Sequence, residues 1–201
     1  MKIALIGATG KIGSKVLHEL ETRGHIVTAI SRHPEGAAEA QARISCDGND
    51  SAKLVQCLKD HDAVVASVPF APGLSEHITA AVKQAGVKRF VVVGGAGSLE
   101  IAPGKTLKET LNLPEAIMKF LDEAAATLGR LRAEPSLDWT FFSPAAEIGP
   151  GERTGHFRLG GDQLVKDADG MSRISYDDYA IALVDELERP QHVRRRFTAA
   201  Y

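Results

Sequence analysis

"GATGKIG", residues 7–13, decides how this chain is read. It follows "KIALI" (2–6), a short apolar run of strand character, and precedes "SKVLHELETR" (14–23), where apolar residues recur at helical spacing. Glycines 7, 10 and 13 between a strand and a helix make a candidate phosphate cradle. Gly7 would permit the tight turn, Gly10 would let the backbone approach a pyrophosphate, and Gly13 would let the helix pack closely on the strand. Ala8, Thr9, Lys11 and Ile12 complete the loop, and the amides at the helix start would face the phosphates.

Outward from this loop, strand-like and helix-like runs alternate. "HIVTAI" (25–30), "AVVASV" (63–68), "RFVVVG" (89–94) and "DWTFF" (138–142) read as strands, and another short strand ends before "CDGND" (46–50). "SAKLVQCLKD" (51–60), "SEHITAAVKQAG" (75–86) and "PEAIMKFLDEAAATLGRLR" (114–132) read as helices. Such alternation implies βαβ units and a parallel sheet covered on both faces. The fold class is therefore α/β: a single Rossmann-like, doubly wound domain over residues 1–201. The region from Gly94 to Pro114 reads as a long irregular loop over an active site. The segment after "DWTFF", with a final helix near 176–188 and a closing strand at 194–200, reads as a small C-terminal extension on the substrate side of the sheet.

Composition removes several function classes. The chain has 201 residues, 44% of them hydrophobic, and a formal charge of -2, so no global field draws it to nucleic acid or an anionic membrane. The one basic run, Arg194–Arg196, reads as a solvated strand flank. No apolar stretch reaches bilayer length and no signal-peptide pattern precedes the first strand, so the expected location is cytoplasmic. Cys46 and Cys57 have neither zinc nor redox-pair spacing, and the seven histidines form no metal motif.

The cofactor is read at the end of the second strand. A carboxylate about 20 residues past a glycine loop would hold a ribose 2′-hydroxyl and repel a 2′-phosphate. Here "AISRHPE" (29–35) offers Ser31, Arg32 and His33 and no carboxylate at that position. A guanidinium can pair with phosphate bidentately, which favours NADP(H) over NAD(H). Asp47 could accept from an adenine amino group or close an Asx turn, and Ala66, Ser67 and Val68 could line the adenine–ribose side.

The chemistry is constrained by what the helix after the fifth strand lacks. The spacing GxxGxxG resembles the loop of the extended and atypical short-chain dehydrogenase/reductases, where carbonyl reduction uses a Tyr-x-x-x-Lys pair; "EAIMK" (115–119) has Glu115 and Lys119 and no tyrosine. Hydride delivery to a flavin needs no strong protein acid, so orientation and exclusion of water could suffice. In "VVVGGAGSL" (91–99), Gly94 and Gly95 would leave room for such a site and Ser98 would offer a catalytic hydroxyl.

The glycine loop, "VVVGGAGSL", "LDWTFFSPAAEIGPGERTGHFRLGGDQLV" (137–165), "SRISYDDYAIALVDELERPQH" (172–192) and "RFTAAY" (196–201) together resemble the bacterial NADH-flavin reductase-like family. That family lies within the atypical short-chain dehydrogenase/reductases and is similar to mammalian biliverdin-IXβ reductase/flavin reductase. The resemblance implies a nicotinamide cofactor across the top of the sheet and a flavin or other planar small-molecule acceptor over the nicotinamide. It implies nicotinamide contacts at Ser143, Pro144, Ala145 and Ala146. It also implies a flap beside the acceptor carrying Arg153, Thr154, His156 and Arg158, with His156 able to donate to a developing flavin charge. A monomer or homodimer is expected, without nucleic acid or membrane. The competing expectation is a non-catalytic NADP(H)-binding redox sensor of the NmrA-like type that regulates a protein partner.

Overall fold

A computed structural model describes residues 1–201. In chain order the elements are β1 (Lys2–Ile6), α1 (Lys11–Thr22), β2 (Ile26–Ser31), β3 (Ala42–Ser45), α2 (Ser51–Leu58), β4 (Ala63–Ala66), α3 (Leu74–Gln84) and β5 (Arg89–Val93). There follow β6 (Glu100–Ala102), β7 (Lys105–Thr106), α4 (Glu115–Arg132), β8 (Asp138–Ser143), β9 (Glu147–Gly149), β10 (Arg158–Gly160), β11 (Arg173–Ser175), α5 (Tyr176–Glu188) and β12 (Arg195–Ala200). Eight strands form one sheet in the order β10-β12-β8-β5-β4-β1-β2-β3, parallel throughout except for the edge strand β10. The order reverses between β1 and β4, and that switch point opens a crevice at the carboxyl ends of the strands.

Side-chain alternation divides the interior into two layers. Ile3, Leu5, Val91 and Phe142 face α1 and α5. Ala4, Ile6, Val92 and Phe141 face α2, α3 and α4. Because both faces are covered, the central strands are apolar at nearly every position, as expected for a buried parallel sheet. The helices supply matching stripes: Val16, Leu17 and Leu20 on α1, and Ala124, Thr127, Leu128 and Leu131 on α4. Tyr179 of α5, Phe142 of β8 and Phe197 of β12 stack with centroid separations of 3.9 and 4.0 Å, and His192 continues the stack at 4.5 Å. The Tyr179 hydroxyl donates to the Phe142 carbonyl at 2.6 Å, so the buried ring carries no orphaned polar group.

Two expectations about organisation change. The segment after Gly94 is not wholly irregular, since β6 and β7 pair as a short antiparallel hairpin within it. The C-terminal extension does not sit only above the strand ends: β10 joins the main sheet through β12, and β9 pairs with β11. Arg196 also departs from a solvated flank. Its side chain is 3% exposed and ion-paired with Asp162, whereas Arg194 and Arg195 are exposed. No helix is long and apolar enough to cross a membrane.

At the amino end of the sheet, Glu186 of α5 gathers five donors. Its carboxylate accepts from Arg89, Thr140, the His192 ring and the backbone amides of Gln191 and His192. Burial pulls the Arg89 pKa down, against the opposing pull of the Glu186 charge. Removing one partner of such a buried pair strands the other. Glu186→Ala is therefore expected to lower unfolding stability by about 3–5 kcal/mol, measured as a fall in the urea midpoint at an unchanged denaturant slope.

Candidate functional site

The crevice at the switch point is a cavity of about 440 Å³. The loop after β1 forms its floor, the end of β2 one wall, and the loops after β3 and β4 the other. It brings together Gly7, Thr9, Gly10, Ser31, Arg32, His33, Asp47, Ser67 and Val68 from four separate segments. Ala8 and Ala66 are buried beneath it and Ile12 packs on the core, so these three shape the site from behind.

The three glycines have different reasons for being glycine. Gly7 has φ +83°, and a Cβ there would fall 2.0 Å from the Ser67 carbonyl oxygen. A Cβ on Gly13 would fall 2.1 Å from the Gly7 carbonyl oxygen. Both positions are therefore closed by the protein itself. A Cβ on Gly10 would meet only the Gly7 oxygen, at 3.4 Å, so nothing in the chain excludes a side chain there. Gly10 is the N-cap of α1 and no side chain caps it. The amides of Lys11, Ile12 and Gly13 have no protein acceptor, leaving the positive end of the helix open to an anion. The buried hydroxyl of Ser31 likewise has no partner. A dinucleotide fits this donor set: open amides for its pyrophosphate and an unspent hydroxyl beside its ribose.

At the end of β2, Arg32 and His33 are exposed and Arg32 takes part in no ion pair within the chain. Asp47 is held in an Asx turn, its carboxylate accepting from the Asn49 amide at 2.9 Å and the Asn49 side chain at 3.0 Å. Those bonds lower its pKa, so it stays an ionised acceptor at the cavity wall. The Asx turn is formed, and Asp47 still lines the cavity. Asn49, Pro69, Ala71 and Leu74 also line the cavity and were not singled out from the sequence, because nothing in their local pattern marks them.

The other half of the expected site is less faithful to expectation. Ser143, Pro144 and Ala145 are buried at the carboxyl end of β8, next to the end of β5, and the Ser143 hydroxyl has no partner. Ala146 is exposed and its amide donates to the Ser172 hydroxyl at 3.1 Å. Gly94 and Gly95 do not leave space for a ligand. A Cβ on Gly94 would collide with the Phe141 ring at 2.4 Å, and one on Gly95 would press on Ala124 at 3.1 Å, so packing explains both. Ser98 is engaged elsewhere, its hydroxyl accepting from Arg196 at 2.9 Å. Glu115 and Lys119 form an exposed helix pair at 2.7 Å.

The flap residues are tied to structure. Arg153 pairs with Glu19 on α1 at 3.0 Å, and Arg158 donates to the carbonyls of Lys166 and Tyr201. Thr154 donates its hydroxyl and amide to Asp178 on α5, and the Gly155 amide does the same at 2.9 Å. The His156 ring is exposed and hydrogen-bonds to no group of the chain, its backbone amide donating to Thr154. Burial raises the Asp178 pKa, but the Thr154, Gly155 and Tyr201 donors outweigh it and hold the carboxyl below its usual range.

The family described as NAD(P)H-binding matches residues 7–190. Three similar solved structures each span the whole of this chain. An exported-protein candidate from Burkholderia pseudomallei is 44% identical with TM-score 0.91, all of its own chain being covered. An epimerase candidate from Bacteroides thetaiotaomicron is 42% identical with TM-score 0.93 over 96% of its chain. An NADH-flavin reductase candidate from Streptococcus pneumoniae is 36% identical with TM-score 0.88 over 99% of its chain.

Two outcomes test the site. Gly10→Ala should keep unfolding stability within about 1 kcal/mol of the parent while weakening dinucleotide binding, whereas Gly7→Ala should destabilise the fold itself; calorimetric melting and cofactor titration of both variants separate the two. For the flap, a carboxyl whose folded pKa is depressed stabilises fully above its unfolded value, about 4, and loses that contribution as pH falls through the folded value. The protection factors of the Thr154 and Gly155 amides, taken against the intrinsic exchange rate at each pH, should accordingly fall as pH drops through the folded value, and Asp178→Ala should lower them already at neutral pH.

Proposed function

This chain belongs to the NAD(P)H-binding family, and from that premise we propose that it is an NADPH-preferring reductase of planar acceptors such as flavins and quinones. The observation that carries the cofactor preference is Arg32, a guanidinium unpaired within the chain at the end of β2, where no carboxylate of the β2 end stands beside the ribose position. Ser31, Arg32 and His33 hold the 2′-phosphate end, the open amides of residues 11–13 hold the pyrophosphate, and Asp47 accepts from the adenine amino group. The ends of β5 and β8, with Ser143 to Ala146, border the nicotinamide. When bound, the reduced cofactor supplies a hydride.

The chain's own work is then binding, orientation and exclusion of water. No tyrosine lies on α4, which disfavours reactions that need a strong protein acid and suits acceptors that take hydride directly. An apolar wall for a planar acceptor stands close by. Phe70 leaves the loop whose Pro69 and Ala71 line the cavity, and it meets Phe120 of α4 edge-to-face at 5.4 Å. The Streptococcus relative's description as a flavin reductase candidate supports the same acceptor class. A cytoplasmic setting belongs to this reading.

The test is acceptor-dependent oxidation of NADPH, titrating FMN, FAD, riboflavin and small quinones, with NADH and Arg32→Glu alongside. Saturable turnover is expected, with Arg32→Glu raising the KM for NADPH about 10- to 100-fold and leaving that for NADH little changed. Tight NADPH binding without turnover on any acceptor would overturn the reductase and leave a non-catalytic sensor.

A further inference from the structure

A second cavity, about 480 Å³, lies at the opposite end of the molecule. It is bounded by Trp139 at the start of β8, by Arg194 and Arg195 at the start of β12, and by Arg132 at the end of α4. No residue lines both this cavity and the cofactor crevice. It is open because the helical layer stops short: the core under α2, α3 and α4 includes no residue of β12 or β10.

Its charge is lopsided. Arg132, Arg194, Arg195 and Arg196 line it against a single carboxylate, Asp162, in a chain whose total charge is -2. Arg132 at 2.9 Å and the buried Arg196 both converge on the same Asp162 oxygen, so one negative charge serves two guanidiniums. Arg194 leans on Asp138 at 3.3 Å. The Arg195 backbone amide donates to the His192 carbonyl at 3.2 Å, but its guanidinium has no acceptor in the chain. Arg32, Arg43 and Arg195 are the arginines whose guanidinium lacks a partner in the chain, and two of these three line the two large cavities.

We propose that this cavity binds a small anion carrying at least two negative charges on phosphate or carboxylate groups. Guanidiniums match the planar, bidentate geometry of both groups. A concave, partly enclosed basic site also focuses its field on such a ligand. The bound anion neutralises the excess over Asp162, with Arg195 and Arg132 as its first contacts. The cavity wall is not isolated from the rest of the molecule. The Asp162 backbone carbonyl accepts from the Glu100 amide at 2.9 Å, and Arg196 donates to the Ser98 hydroxyl and carbonyl, so the wall is joined to the segment that follows β5.

The experiment is isothermal titration of pyrophosphate, citrate and phosphate into the full chain saturated with NADP+, at constant ionic strength in chloride. Saturating the crevice first keeps anions away from Arg32. One saturable site is expected for pyrophosphate or citrate. Tighter binding of the first points to a phosphorylated ligand, tighter binding of the second to a polycarboxylate. Arg132→Ser with Arg195→Ser should raise the Kd at least about tenfold while NADPH affinity is unchanged. The single exposed change Arg195→Ser should give a smaller rise in Kd even if the double variant folds poorly. Absence of saturable binding, or binding indifferent to both variants, overturns the proposal. So does a concentration-dependent dimer that Arg195→Ser dissociates, because an acidic surface of a second copy would then be the occupant.

Discussion

At Gly7 and at Gly13 the chain has no room for one more carbon. The Gly7 carbonyl oxygen occupies the space a Cβ on Gly13 would take, and the Ser67 carbonyl occupies the space beside Gly7. These two approaches fix β1, the first turn of α1 and the end of β4 against one another. Everything that makes the crevice follows from that fit: the angle at which α1 leaves the sheet, the direction of its free amides, and the width of the gap between the loops after β1 and β4. Gly10, lying between them, is the one glycine of the three that the protein leaves open.

The Glu186 network and the crevice at the switch point lie at opposite ends of the parallel strands. At the amino ends, Glu186 binds β5, β8 and the turn before β12 together, and the Tyr179–Phe142–Phe197–His192 stack carries that rigidity through the layer beneath α5. At the carboxyl ends, polar groups such as the Ser31 and Ser143 hydroxyls are left without partners. A buried polar group with no partner is costly, and these two hydroxyls stand at strand ends where a ligand could satisfy them.

How much of this was legible in the sequence depended on the range of the determining contacts. The strands and helices could be read because periodicity is local, and the adenosine half of the crevice because its residues sit at fixed offsets from strand ends. Ser31, Arg32, His33 and Asp47 converge in the structure from that logic alone. The ties of the flap were hidden because its partners are remote: Arg153 reaches Glu19, 134 residues away, and Arg158 reaches Tyr201, 43 away. A polar residue on an exposed segment looks the same in sequence whether it awaits a ligand or is already bound to a distant helix. The packing at Gly94 and Gly95 was hidden for a related reason, since only the folded core shows that Phe141 and Ala124 fill the space of a Cβ.

The same distinction governs what an arginine means. Arg196, Arg89 and Arg23 are held by carboxylates, and their charge is spent on joining elements. Hydrogen bonds from Arg23 to Asp185, Glu19 and Glu188 even overcome the burial that disfavours its charge. Arg32 joins nothing. Its solvation costs the fold little, and removing it would break no contact between elements. A guanidinium that contributes nothing to architecture, at the strand end that borders the crevice, is free for the ligand role proposed for it.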